Sequence, residues 1–401
     1  MGTLCEVGEG NGLIPPVVAE VVKVDIDHIA LVPFGETASL AAGATVRALG
    51  EDSAIPVGDG FSGRAVDALA RPIDGRGQVV TQHKAPLFGA LPEPLDRATP
   101  REPIVTGIRA IDGLLTLGRG QRIGIFAASG VGKTSLIAQL ARQASADRLV
   151  LCLVGERGRE VDQLWSEDLP PEVRARTTMV AATSDKPAAL RVRAVYQALG
   201  LTRYWRARGE HVLLVVDSVT RLAMAMRENG LAAGEPPTVR AYPPSVFSAI
   251  PRVIEHCGAL KAGGAISAVF TVLSESDEVD DPICELMKSL LDGHIVLSRG
   301  MAERGQFPAV DIARSVSRNM HRLVSPEQLA RSRKVLGHIA SYEESRTLIE
   351  SGLYSAGSSP AIDAAIAAKP AIDSFLAQAI DDNCAYDSTQ SSLARLAEVS
   401  A

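Results

Sequence analysis

Aromatic residues make up only 4% of this 401-residue chain and are sparse in its first hundred positions, so there is no stacking platform for single-stranded nucleic acid. A formal net charge of −6 gives no general attraction to phosphate backbones. The clearest basic stretch, Arg203 to Arg208 with Tyr204 and Trp205, reads as an amphipathic helix end, and no nucleic-acid partner is expected. Nor does any apolar run reach the roughly 18 residues of a membrane-spanning helix. The opening, Met1 to Asn11, carries Glu6 and Glu9 and lacks both the positive start and the apolar core of a secretory signal, which makes the cytoplasm the expected compartment. Five cysteines (Cys5, Cys152, Cys257, Cys284, Cys384) lie far apart and are odd in number, which excludes a disulfide framework and a paired-spacing zinc site. Internal repeats and low-complexity tracts are absent as well.

What is present is a soluble-type composition, 46% hydrophobic and 22% charged, in a chain too long for one ordinary core. From Val17 to about Val80 short β-rich runs (Val17 to Val24, His28 to Val32, Thr45 to Leu49, Gly63 to Val66) alternate with glycine turns and predict a small β-barrel or sandwich. Five prolines between Pro86 and Pro103 predict an extended connector. After it, near-continuous apolar runs alternate with helical patterns: Arg122 to Phe126, Leu149 to Val154, Thr178 to Ala182, Val212 to Val216, Ala265 to Leu273 and His294 to Leu297. Such runs belong to a mostly parallel sheet buried on both faces, with ligands at the carboxyl ends of its strands. Beyond about Met320 the strand patterns stop. Helix starts are predicted at Ser325-Pro326-Glu327-Gln328, at Ser359-Pro360 and at Pro370, and a polar break from Asp381 precedes a last short helical pattern. The expected division is 1–88 for an N-terminal β unit, 89–322 for an α/β unit and 323–401 for a helical unit.

Within the α/β unit, Ala127-Ala128-Ser129-Gly130-Val131-Gly132-Lys133-Thr134 lies between an apolar strand and a helical pattern. This is a phosphate-binding loop, with Ala127 at the place of the usual first glycine. Backbone N–H groups of such a loop and the following helix N-terminus hold phosphates, Lys133 reaches the β/γ-phosphates of ATP, and Thr134 offers a hydroxyl to Mg²⁺. Hydrolysis also needs carboxylates. Asp217 ends the apolar run Val212 to Val216, where it reads as a magnesium-side carboxylate or as a cap of the next helix. Glu156 follows the run Leu149 to Val154 in Gly155-Glu156-Arg157-Gly158-Arg159-Glu160, which reads as a water-polarising site or as a solvated charged turn.

Read together, these segments resemble the ATPases of type III protein secretion and flagellar export, relatives of the catalytic subunit of rotary F-type ATP synthases. The resemblance covers nearly the whole chain. It is carried by Gly107 to Gly113, the P-loop, Gly155 to Glu160, Ala241 to Phe247, Leu291 to Arg299 and Ser315-Val316-Ser317-Arg318. It implies an α/β fold of the RecA and ATP-synthase type, with a P-loop NTPase core, an N-terminal β-barrel and a C-terminal helical domain. By residue, it implies that Glu156 activates water, Arg157 joins the phosphate network, Lys133 and Thr134 bind the nucleotide and Mg²⁺, Asp217 stands on the magnesium side, and Arg318 is an arginine finger. Tyr354 and Phe375 are candidates for packing the adenine, with a core role the alternative for each. For the molecule it implies a homohexamer, a stator-like regulator, a central stalk protein, chaperone–cargo complexes and a membrane export gate at the cytoplasmic face. Leu4 to Val7 resembles text that relatives reach after an N-terminal segment, so the regulator-binding helix is expected to be missing here. Ala128 replaces a glycine of many flagellar relatives, which a negative φ would accommodate, and Ser359 stands where an Asp is common, one helix cap for another. A rotary synthase subunit and a ring-shaped RNA translocase are the competing expectations.

Overall fold

Short β-rich segments open the chain. The computed structural model describes residues 2–8, 16–35, 40–41, 43–49, 54–274 and 281–399. Strands β1 (Leu4–Val7), β2 (Val17–Val24), β3 (Ile29–Pro33) and β4 (Val46–Ala48) form an antiparallel sheet in the order β3-β2-β1-β4. Among the described residues its edge strands β3 and β4 do not pair with each other. The next two runs, β5 (Ala54–Val57) and β7 (His83–Pro86), pair as a separate antiparallel ribbon. Between them β6 (Arg64–Val66) corrects the sequence reading: it does not belong to the N-terminal sheet but joins the edge of the central one, parallel to the strand Thr177–Ala182. All three of its residues are buried, and Arg64 is held by Asp74 at 2.7 Å, so this short run has both faces covered as a parallel strand requires.

The proline connector contains no α-helix, only the short strands β8 (Arg97–Ala98) and β9 (Pro103–Ile104) beside a single 3₁₀ turn. Then come α1 (Arg109–Leu114), β10 (Leu117–Gly118), β11 (Arg122–Ala127), α2 (Lys133–Gln143), β12 (Arg148–Val154), α3 (Gly158–Gln163), α4 (Pro171–Ala175) and β13 (Thr177–Ala182). They are followed by α5 (Ala188–Ala207), β14 (His211–Asp217), α6 (Val219–Ala232), α7 (Pro244–Glu255), β15 (Gly258–Leu260) and β16 (Ala265–Leu273). The unit ends with α8 (Pro282–Leu290), β17 (Gly293–Leu297), α9 (Arg299–Glu303) and β18 (Val310–Ser317). The main sheet runs β18-β17-β11-β16-β14-β12-β13-β6, parallel from β17 to β6 with β18 antiparallel at the edge. Alternate residues of one strand enter different cores: Val150, Cys152 and Val154 face one cluster with Leu214, Val216 and Phe270, while Leu149, Leu151 and Leu153 face the other with Ile123 and Ile125. Burial on both faces is what the unbroken apolar runs encode.

The basic stretch at the end of α5 is used internally. Arg203 donates to the carbonyls of Pro86 (2.7 Å), Leu87 and Phe88, and Arg206 to that of His256 (2.7 Å), close to the carboxyl end of α7. Gly200 lies where α5 meets β5: a Cβ there would stand 2.2 Å from Ile55 Cδ1, so a larger residue would have to displace that buried side chain.

After α10 (Met320–Leu323) three helices close the chain, α11 (Pro326–Glu350), α12 (Pro360–Leu376) and α13 (Tyr386–Val399). Ser325 caps α11 through its hydroxyl, which accepts from Gln328 N–H at 3.2 Å. Two expectations are corrected here. Pro370 does not start a helix but lies inside α12, because the buried stripe Ala365, Ala368, Ile372 and Phe375 continues across it at helical spacing. Ser359 makes no side-chain cap; instead the Asp363 carboxylate accepts from Gly357 N–H at 3.0 Å. Arg109 fastens this unit to the α/β unit by donating to Phe375 O (2.8 Å), Ala377 O and Cys384 Sγ.

Candidate active site

β11 delivers the chain to the phosphate loop. Ala127 is its last residue and is buried, Ala128 is half-buried, and Ser129 and Gly130 are exposed. Gly130 and Gly132 have φ of +79° and +90°, values that turn the backbone into the start of α2 at Lys133. Ala128 is not among the non-glycine residues with positive φ, so its methyl group is accommodated. Among the described residues no side chain caps the start of α2 at Gly132, and its first N–H groups suit an anion. Thr134 is the second residue of that helix, half-buried.

β12 and β14 are neighbours in the sheet, and at their carboxyl ends stand Glu156 and Asp217. Lys133 reaches across to both: Nζ is 3.1 Å from Glu156 Oε1 and 2.5 Å from Asp217 Oδ1. The side chains of all three are nearly buried, at 12%, 6% and 5% exposure. Burial raises the Asp217 pKa above the usual carboxylate range, and the Lys133 ammonium opposes that shift. Asp217 does not cap α6; Ser218 does, through Arg221 N–H at 3.3 Å.

Three further groups complete the arrangement. Arg221 places its guanidinium on Gly155 O and 3.5 Å from Glu156 Oε2, and a Cβ on Gly155 would come within 3.0 Å of Arg221 Cδ. Thr271 donates to Asp217 Oδ1 at 2.6 Å. Phe307 is the aromatic ring brought against the loop, 3.2 Å from where a Gly132 Cβ would lie. None of these three was singled out from sequence.

The remaining candidates lie elsewhere. Arg157 precedes α3 with its side chain 76% exposed and 3.9 Å from Glu160. Arg318 follows β18, is exposed, and binds Asp292 O through its N–H (3.1 Å) and Lys288 O through its guanidinium (3.0 Å). The Tyr354 hydroxyl sits 3.0 Å from both Ser359 O and Asp363 Oδ1 and closes the turn before α12. Phe375 is a buried core side chain packed over Gly113. Thr134 and Asp217 offer the hard oxygen donors that suit Mg²⁺, and no cluster of three or more acidic, His or Cys side chains competes for a metal among the described residues.

Comparison with known proteins identifies the family. Residues 107–317 match the ATP synthase alpha/beta family, nucleotide-binding domain, and residues 324–395 match the T3SS EscN ATPase C-terminal domain. The flagellum-specific ATP synthase of Bacillus subtilis is 42% identical over 401 residues, covering 99% of this chain and 90% of that protein. The assembled ATPase EscN of the enteropathogenic E. coli type III secretion system superposes with a TM-score of 0.93 at 41% identity, covering 99% of this chain and 95% of that one. EscN in complex with its central stalk EscO gives a TM-score of 0.90 at 39% identity, with coverages of 99% and 95%. A P-loop whose lysine bridges two strand-end carboxylates, matched along its whole length by export ATPases, places this chain in the ATP synthase alpha/beta family, in the branch of the type III secretion and flagellar ATPases.

Proposed function

We propose that this chain is the ATP-hydrolysing motor of a type III protein export apparatus, working as a six-membered ring that releases chaperones and unfolds cargo. The Lys133 bridge to Glu156 and Asp217 carries the catalytic reading, because it gathers a phosphate ligand and two acids at one buried point. Glu156 orients the attacking water and takes its proton. The bond from the γ-phosphorus to the β,γ-bridging oxygen breaks, and ADP departs with its new charge countered by Lys133. Arg221, already on Glu156, is positioned to hold the carboxylate and then the phosphate released beside it. Mg²⁺ bound with the nucleotide would neutralise the β- and γ-oxygens, with Thr134 and, through water, Asp217 as its protein side. Phe307, whose ring lies against the loop, is favoured over Tyr354 and Phe375 as the adenine-packing candidate.

Arg318 and Arg157 are exposed and unattached to these acids, which suits groups that act across a subunit boundary. A finger supplied in trans is worth about 10³ to 10⁵ in rate. In this reading the N-terminal sheet closes the ring, the α/β unit turns over ATP, and the helical unit faces chaperone–cargo complexes. The EscN–EscO complex supports a central stalk partner here too. A stator-like regulator and a membrane export gate at the cytoplasmic face belong to the same proposal.

ATPase rate against protein concentration, for the wild type, Glu156→Gln, Arg318→Ala and an equal mixture of the two variants, tests it. The expected result is a rate per subunit that grows with concentration, two inactive single variants and partial recovery in the mixture. A concentration-independent rate with fully active Arg318→Ala would remove the trans finger and the ring requirement together.

A further inference from the structure

Along β16, Ala265 to Leu273, a run of apolar side chains is interrupted by two buried hydroxyls, Ser267 and Thr271. A buried hydroxyl without a hydrogen bond is unfavourable where an isosteric valine would be neutral, so each needs a partner. Ser267 has two: it accepts from Gly120 N–H at 2.8 Å and lies 2.8 Å from His211 Nε2, at the end of the sheet away from the P-loop. Thr271 has Asp217, at 2.6 Å, with Val216 O a longer alternative at 3.5 Å.

The register makes that contact rigid. Val216 pairs with Phe270, so Asp217 and Thr271 are the next neighbours across two parallel strands, and Thr271 is also paired with Ile125 of β11. Just beyond it, Leu273 N–H donates to Thr220 Oγ1 (2.9 Å) and Ser274 N–H to Ala127 O (3.0 Å), which pins the strand end to α6 and to the loop. Both donors to Asp217, Lys133 Nζ and Thr271 Oγ1, meet the same oxygen, Oδ1, and among the described residues Oδ2 accepts no hydrogen bond. Lys133 is on a flexible stem and is the donor that phosphate draws away. Thr271 is fixed in the sheet and stays.

We propose that Thr271 is a positioning residue that holds Asp217 by Oδ1 and so leaves Oδ2 as the acceptor for the hydrated magnesium ion of the nucleotide complex. The inference rests on reading Asp217 as the magnesium-side carboxylate. A charge-assisted bond of this kind, fixed before the ligand arrives, is stronger than a neutral one and loses nothing to reorganisation.

The test is equilibrium binding of a fluorescent ADP analogue, with and without Mg²⁺, to the wild type, Thr271→Val, Thr271→Ser and Asp217→Asn. For Thr271→Val the Mg²⁺ concentration giving half-maximal enhancement of binding is expected to rise about tenfold, while metal-free binding stays within about twofold of wild type. Thr271→Ser, which keeps the hydroxyl, is expected to restore the wild-type requirement. An unchanged Mg²⁺ requirement in Thr271→Val, or an equal loss with and without metal, overturns the proposal, the second result marking a merely structural side chain. Asp217→Asn separates the two layers. If it too leaves the Mg²⁺ requirement unchanged, the reading of Asp217 fails; if it raises the requirement and Thr271→Val does not, only the positioning role fails. Thr271→Ala serves as the probe should the valine variant not fold.

Discussion

Lys133 shows how a residue can be legible while its company is not. The P-loop pattern predicts the lysine, and the ends of two apolar runs predict Glu156 and Asp217, since strand ends are where a parallel sheet exposes its ligating groups. Thr271 and Phe307 carry no such signal: one reads as an ordinary strand former and the other as a loop aromatic, and only the pairing of β14 with β16 and the return of the chain past Gly132 give them a place. The opposite end of β14 supports a pH prediction. His211 is buried against Ser267, and burial, with a lesser contribution from Arg119, lowers its pKa from 6.5 to about 4. The folded chain therefore keeps this imidazole neutral while the unfolded chain takes up a proton as the pH falls. Its contribution is fully present above pH 6.5 and is lost on the way down to about pH 4, roughly 3 kcal/mol in all. His211→Gln is expected to flatten that acid limb. Thermal unfolding midpoints of both proteins from pH 7 to pH 4.5 check it, and parallel curves would show that another group is responsible.

Among the elements, the helices closing the chain show where proline and capping signals mislead. Ser-Pro at 325–326 and 359–360 both mark true helix starts, because proline at the first helical position lacks only an N–H that would be unpaired anyway. Pro370 gives the same signal in the middle of α12, and the buried stripe from Ala365 to Phe375 overrides it. That stripe was readable in the sequence; the lone proline outweighed it. Since Pro370 is exposed and removes the N–H that would bond Ile366 O, Pro370→Ala is expected to stabilise the protein by about 1 to 3 kcal/mol in chemical denaturation. A loss of stability would mean that the packing of α12 on its neighbours needs a bend at that point. At the start of the same helix the entry turn is held by Asp363 and not by the Ser359 side chain: Asp363 binds Gly357 N–H and the Tyr354 hydroxyl. Asp363→Ala should accordingly cost about 1 kcal/mol and Ser359→Ala close to nothing, the reverse of the order the sequence suggests.

On the scale of the whole molecule the order of units was legible, because each has its own periodicity: short alternating runs, then long apolar strands between helices, then helices alone. The allegiance of β6 was not, since three residues are too few to show whether one face or both are covered, and the answer depends on β13, more than a hundred positions later. How the N-terminal sheet is fastened to the rest was equally hidden. Glu20 of β2 and Arg193 of α5 meet at 3.1 Å with their side chains 12% and 4% exposed, and among the described residues Arg193 Nε has no partner. Burial raises the Glu20 pKa, against the pull of the Arg193 charge, so each ion is tolerable there because of the other. Removing one partner strands the other in a poorly solvated site at a cost of about 3 to 5 kcal/mol, whereas replacing both by apolar residues is often close to neutral. Glu20→Leu and Arg193→Leu singly are therefore expected to loosen the sheet, read as faster hydrogen exchange of the β1 and β2 amides, and the double variant to regain most of the protection. If the double variant is as loose as either single one, packing around the arginine stem holds the sheet, and the ion pair is incidental to it.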